Sequence, residues 1–487
     1  MPDHFPSQDA APLPVTQPHR HKWWILIAIG LTLFMGAVDG TIVNVALPSL
    51  TRELQTDFRT VQWVVLAFLV GLAVLILSMG RLGDMVGKKV VFTTGLVIFV
   101  VGSALCGLAP NVYWLIGFRF LQSIGAAMTL ALGVAIVTET WPLHERGKAI
   151  GISAGIISLG IAAGPAVGGI LLQMTGWRWI FFVNLPIGVL SLALVLAFVP
   201  ALAPSKRGES FDFAGAALIG VMLLALTVAM TLGQVDGFLS AIVLGLLLLS
   251  LVCLLAFVRT ERRVAYPMIN LSLFRNATFS LNLFTGFLTF VGIAGVVLLF
   301  PFYLQLVMGL QQGQVGLLMA VVPLVLAILN PISGVLSDRV GTRPVSIVGL
   351  ILLVLGYLAL TRLNTSSTVG QYLIYLLPVG LGMGTFQSPN NTSIMSAVPR
   401  NRLGVASGTL SMTRTLGQTA GIAVLGAYFV SRLQVYAGQA VDITTASANA
   451  IVEAMHDEFI VVAGLIAIGL VVALWQWRVE ARAGRNE

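Results

Sequence analysis

Read for its hydrophobic and polar positions, the chain is a succession of long apolar runs separated by short polar breaks. The runs are about 17–25 residues long, the length an α-helix needs to cross the hydrocarbon core of a bilayer. They fall at 23–47, 61–80, 88–108, 113–139, 148–172, 181–200, 212–233, 238–258, 278–304, 314–336, 344–362, 370–397, 404–430 and 458–478. The pattern predicts an all-α membrane protein with fourteen transmembrane helices.

Composition supports lipid as the solvent. Hydrophobic residues make up 57% of the chain and charged residues only 9%, with a mean hydropathy of +0.95. A soluble domain carries about 25% charged side chains, so this chain cannot cover a water-facing exterior. The 51 glycines fit close helix packing in a membrane. Cys106 and Cys253 both lie in apolar runs and build neither a disulfide framework nor a metal site.

The net charge of +8 does not call for nucleic acid, because the basic residues sort by side of the membrane. If Lys22 is cytoplasmic, most of the 27 basic residues share its side. Arg52, Arg59, Arg178, Arg362 and Arg432 fall on the other, while Arg119 and Arg414 lie within spans. Both termini are then cytoplasmic and the protein sits in the cell (inner) membrane. Residues 1–22 are polar and Pro-rich and read as a disordered cytoplasmic tail, not a signal peptide. Residues 481–487 read as a second cytoplasmic tail.

An internal repeat organises the rest. GRLGDMVGKKVV at 80–91 aligns with GVLSDRVGTRPV at 334–345. Both copies fall on the cytoplasmic side, so the repeats run parallel, as in transporters built from two like-oriented halves. The shift spans eight helices, two more than a six-plus-six arrangement allows. The expected organisation is a six-helix bundle over 23–200, a two-helix insert over 201–263 and a second six-helix bundle over 264–480. The basic stretch from Arg259 to Asn276 is expected to lie as a helix on the membrane surface.

The loop Gly80-Arg-Leu-Gly-Asp-Met-Val-Gly-Lys-Lys89 resembles the signature loop of the major facilitator superfamily. Its glycines suit a tight cytoplasmic turn. Asp84 is placed to meet basic side chains and a helix N-terminus, contacts that bias an alternating-access equilibrium. By the resemblance, Gly80, Asp84, Gly87 and Lys88 form a conformational motif, repeated at Asp338 and Gly341. SLGIAAGPAVGGIL at 158–171 resembles the antiporter motif of the same superfamily. Gly160, Gly164 and Gly168 make one flat helix face, and Pro165 frees a backbone carbonyl. VDGTIVNVALPSL at 38–50, GFRFLQSIGAAMT at 117–129 and WRWIFFVNLPIG at 177–188 resemble signatures of the fourteen-span drug:proton antiporter branch. Ser123 departs from the usual pattern, where glycine is commoner.

Asp39 is read as the only acid well inside any span. Charge there is costly, and desolvation disfavours the ionised form, which suits a group that exchanges protons. Arg119, in the outward half of its own span, falls on Leu373 in the second repeat, and Asp39 falls on Ile293. The charges therefore belong to one half, which argues against a scaffold role. Glu139, at the cytoplasmic end of the fourth span, is either a helix-end charge or a second protonation site. Gln387, Asn390 and Asn391 either line the substrate cavity or satisfy the carbonyl freed by Pro389. Arg414 is a further cavity candidate.

No nucleotide loop of the GxxxxGK[ST] type is present in the sequence, and the five His lie in tails and loops. No enzymatic set can be assembled, so no cofactor is expected beyond a proton gradient. The resemblance covers 23–480 and implies a proton-coupled exporter of lipophilic drug-like compounds, working as a monomer in the lipid bilayer. An exporter of an endogenous lipid or metabolite, or a membrane sensor that binds without transporting, remains open.

Overall fold

The computed structural model describes residues 21–142, 145–201, 212–264, 271–399 and 403–483. The expected tail over 1–22 and the turn after Glu261 therefore lie largely outside the described residues. The helices are α1 (Lys22–Glu53), α2 (Phe58–Val61), α3 (Trp63–Val86), α4 (Lys88–Gly107), α5 (Val112–Thr140), α6 (Arg146–Thr175), α7 (Trp179–Phe182) and α8 (Asn184–Phe198). Next come α9 (Phe213–Asp236), α10 (Ala241–Glu261), a 3-10 turn (Leu271–Arg275) and α11 (Ala277–Phe302), which passes into a π turn (Tyr303–Val307). The chain closes with α12 (Gln312–Met319), α13 (Val321–Val340), α14 (Thr342–Leu360), α15 (Val369–Ser396), α16 (Leu403–Ala437) and α17 (Ala448–Ala483). Counting α2 with α3, α7 with α8 and α12 with α13, 14 helices among the described residues are long and apolar enough to cross a membrane.

Local chemistry sets several boundaries. Asn111 caps α5 by accepting from Tyr113 N and Trp114 N, and Thr368 with Gln371 forms a capping box at α15. Sequence reading placed the whole of 80–87 in a tight turn, and this is corrected: the helix runs through Gly80 and Asp84 to Val86. Only Gly87 breaks it, at φ +120°, and Gly341 does the same in the repeat at φ +92°. One left-handed glycine suffices to reverse the backbone, so the other motif glycines stay helical. Of the surface helix expected over 259–276, residues 265–270 lie outside the described residues, and the described ends differ from the expectation. Helix α10 continues to Glu261, and the far end is the 3-10 turn.

The final span also starts early, at Ala448 rather than near 458. Its first turns carry Glu453, His456, Asp457 and Glu458, which dilute the hydropathy signal although the backbone is helical.

Packing follows the repeat. In the first half α1 lies against α5, α6 and α8, while α5 also holds α3 and α4. In the second half α11 packs on α16 and α17, and α15 holds α13 and α14. The halves meet where α6 touches α12 and α13, and where α3 touches α16. Of the insert, α9 lies on both α3 and α16, whereas α10 packs chiefly on α9.

Candidate functional site

The helix ends that carry Asp84 and Asp338 are termed here the motif end, and the opposite ends the distal end. Asp39 is the eighteenth residue of α1. At 1.5 Å per residue this places it deep within the span. Its side chain is fully buried, and Arg119 of α5 is 1% exposed.

The carboxylate is held from two other helices. Arg119 Nη1 donates to Asp39 Oδ2 at 2.7 Å, while Gln122 Nε2 of α5 and Asn184 Nδ2 of α8 each donate to Oδ1 at 2.9 Å. Arg119 spends its other donors on Val64 O at 3.1 Å and Gln122 Oε1 at 2.7 Å, and its guanidinium lies 4.2 Å over the Phe68 ring. Ser103 of α4 accepts from both amides and donates to Phe181 O. Charge-assisted bonds of this kind offset the cost of burying the pair.

The pair thus sits buried inside the first bundle. Gln122, Asn184 and Ser103 were missed by sequence reading. Gln122 stands three residues after Arg119 on one helix face, and Asn184 lies in the quoted WRWIFFVNLPIG stretch, so both carried a signal.

The glycine face of α6 abuts this segment of α1. A Cβ at Gly160 would stand 2.8 Å from Phe34 O, and one at Gly164 would stand 2.9 Å from Val38 O. At Gly168 it would meet Ile42 Cγ1 at 2.6 Å. The residues flanking Asp39 are therefore in backbone-close contact with the antiporter-motif helix. Pro165 lacks the N–H that would bond Ile161 O, and the Thr41 hydroxyl approaches that carbonyl at 3.4 Å. On its other side α6 meets the second half. A Cβ at Gly169 would lie 2.5 Å from Gln312 O, and one at Gly316 would collide with Pro165 O.

The distal end is tied across the halves. Gln312 donates to Ser49 Oγ at 2.8 Å, Gln173 to Gln311 at 3.2 Å, and Phe58 N to Asp442 Oδ2 at 2.8 Å. Phe58 also packs edge-on against Phe302. By contrast, a Cβ at Gly40, Gly147, Gly151 or Gly155 would meet nothing within 4 Å. Gly147, Gly151 and Gly155 lie on the motif-end turns of α6, where nothing closes on the backbone.

At the motif end, Lys88 bonds Glu139 and also reaches Asp84 at 3.1 Å. Glu139, singled out in isolation, thus shares a knot with the signature loop. Asp338 is exposed and makes no ion pair among the described residues, so the two copies differ.

The polar residues of α15 do not form one cluster. Gln387 accepts from Asn330 of α13 at 3.4 Å, buried Asn390 accepts from Thr285 of α11 at 3.4 Å, and Asn391 is half-buried. Arg414 lies 4.9 Å over the Phe290 ring, and its buried Nε has no hydrogen-bond partner. A further acid was missed. Glu458 of α17 is fully buried inside a span, which corrects the reading of Asp39 as the only such group.

Comparison with known proteins agrees with this architecture. The chain is 32% identical over 414 residues to Riboflavin transporter RibZ of Clostridioides difficile, covering 85% of this chain and 90% of that protein. It is 37% identical over 416 residues to Multidrug resistance protein Stp of Mycobacterium tuberculosis, covering 85% and 77%. Its fold matches the crystal structure of a bacterial homolog to the human lysosomal transporter Spinster with a TM-score of 0.70 at 16% identity, covering 94% and 97%. A family model described as Major Facilitator Superfamily matches residues 29–422 and 283–487. With its repeated signature loop and fourteen spans, the chain is a multi-pass membrane protein that belongs to the major facilitator superfamily of transporters.

Proposed function

We propose that this transporter is a proton-coupled antiporter that exports lipophilic drug-like compounds by alternating access. The observation that carries the reading is the Asp39–Arg119 pair, buried in one half on a helix whose flanking residues pack against the glycine face of α6. A proton arriving at Asp39 cancels the charge that Arg119, Gln122 and Asn184 hold. That loosens α1 on α6, and α6 is the helix that clasps the second half at the distal end. Protonation and closure are thereby linked through one seam.

In this reading the protein sits in the cell (inner) membrane with the motif end and both termini cytoplasmic, and the distal-closed state receives substrate from the cytoplasm or inner leaflet. Relatives named as multidrug resistance proteins support a drug substrate, among them the Mycobacterium tuberculosis protein at 37% identity. The 32% identity to a riboflavin transporter favours a second reading, in which the same machine moves an endogenous metabolite.

The test is transport in proteoliposomes with an imposed pH gradient, using a lipophilic fluorescent cation and riboflavin as probes. Gradient-driven dye efflux with counter-movement of protons supports the first reading. Riboflavin flux without dye flux supports the second, and binding of either probe without flux leaves a sensor. Resistance profiling of deletion and overexpressing strains then defines the substrate range.

A further inference from the structure

The last helix carries a carboxylate that the Asp39 cluster does not use. Glu458 on α17 is 0% exposed, and neither of its carboxylate oxygens has a hydrogen-bond partner among the described residues. Helix α11 makes the room for it. A Cβ at Gly295 would stand 3.1 Å from Glu458 Oε1. One turn back, a Cβ at Gly292 would lie 2.7 Å from Val462 Cγ1 of α17 and 3.8 Å from Tyr357 Oη of α14.

This place corresponds to the Asp39 cluster. The shift that superimposes Asp84 on Asp338 carries Asp39 onto Ile293, two positions from Gly295, and carries Ser103 onto Tyr357. Arg119 and Gln122 fall on Leu373 and Leu376. In the first half the acid stands on the first helix and meets the last, at Asn184. In the second half it stands on the last helix and meets the first. The second half thus has its buried acid on a different helix, facing the same place, with leucines where the first half has the cation and the amide.

The groups that face Glu458 do not neutralise it. Tyr357 of α14 and Tyr428 of α16 lie within electrostatic reach. Arg432 of α16 is already bonded to Asp457 at 2.5 Å. His456 rests on Leu363 O, and Glu453 is largely exposed. These last groups sit one turn toward the distal end, so a polar rim separates Glu458 from that face. An ionised carboxylate without cation or donor is strongly disfavoured in such surroundings, whereas the neutral acid is tolerated.

Resting on the antiport reading, we propose that Glu458 is a second proton-binding site, loaded in the distal-closed state and exchanging with the distal face when that end opens. Each half then owns one proton-carrying acid. The step itself is only the making and breaking of one carboxyl O–H bond with water at the distal rim.

The test uses the full chain in nanodiscs and protons as the ligand. Infrared difference spectra should show a protonated-acid carbonyl band that fades as pH rises and is lost in Glu458→Gln, an isosteric mimic of the neutral acid. No such band, or one unchanged across the accessible pH range, overturns the proposal. As a check independent of the variant's folding, a hydrophobic carbodiimide should modify Glu458 in wild-type membranes at low pH and fail to at high pH; equal or absent modification overturns it. In proteoliposomes loaded with the cationic dye, Glu458→Gln should lower the protons moved per dye molecule. An unchanged ratio alongside proton-coupled wild-type flux sinks this site alone. Wild-type protein that moves no protons sinks the antiport reading, while the infrared titration still decides whether Glu458 binds one.

Discussion

Asp39 and Arg119 form a 2.7 Å ion pair sealed within the first six-helix bundle, with two amide side chains completing the carboxylate's shell. Substituting Asp39→Asn removes the carboxylate to which the antiport reading assigns the proton and also strands the Arg119 guanidinium. Losing one partner of a buried pair costs about 3–5 kcal/mol. The single variant should therefore lose gradient-driven efflux and melt earlier, and adding Arg119→Gln should recover much of the Tm without recovering the coupling. Wild-type proton-coupled efflux in Asp39→Asn would remove this residue from the mechanism.

The motif-end knot joins Lys88 to both Asp84 and Glu139, whereas Asp338 stands exposed. Asp84→Asn and Glu139→Gln should each lower turnover more than substrate affinity if, as the antiport reading has it, the knot biases the balance between conformations. Asp338→Asn should be milder. Flux and binding measured on the same preparations check this, and affinity falling as steeply as flux in both first variants would contradict a conformational role.

Gly316 and Gly169 bring the two halves together at the distal end, where a Cβ on either would strike the facing backbone. Gly316→Ala should destabilise the closed distal end by about 1–3 kcal/mol, the usual cost of overpacking. Maleimide labelling of a cysteine placed at Ser49 should then speed up several-fold relative to the glycine parent. Unchanged labelling would mean that another contact sets the closure.

Helix α9 touches both halves, yet its two leucines at the middle face different surroundings: Leu223 is 4% exposed and Leu224 is 50% exposed. If the insert is a spacer, Leu224→Gln should reduce expression without altering specificity, and Leu223→Gln should disturb both the seam and folding. Cysteine scanning over 214–233 is decisive. Protection by transported substrate would place the insert in the pathway.

Much of this was legible in the sequence. Span number, the parallel repeat and the α6 glycine face depend on residue spacing along one helix, and Asp39 declared itself because a charge within an apolar run is rare. Gly87 and Gly341 were legible as turn formers, but the helical state of Gly80 was not, since a glycine permits a turn without requiring one.

Only the tertiary structure decided the rest. Glu458 was hidden among Glu453, His456 and Asp457, where a hydropathy average reads four polar residues as a loop. Helix packing instead sorts them by face, turning Glu458 inward against Gly295 and leaving Glu453 and Asp457 toward the rim. Gln122 and Asn184 reach Asp39 across 83 and 145 residues of chain, which no local pattern encodes. The apolar surface of α9 gave no sign that it would bridge α3 and α16. Periodicity along a helix reports how one element meets its solvent. Which side chain meets which depends on how helices are rotated and stacked, and that is settled only when they pack.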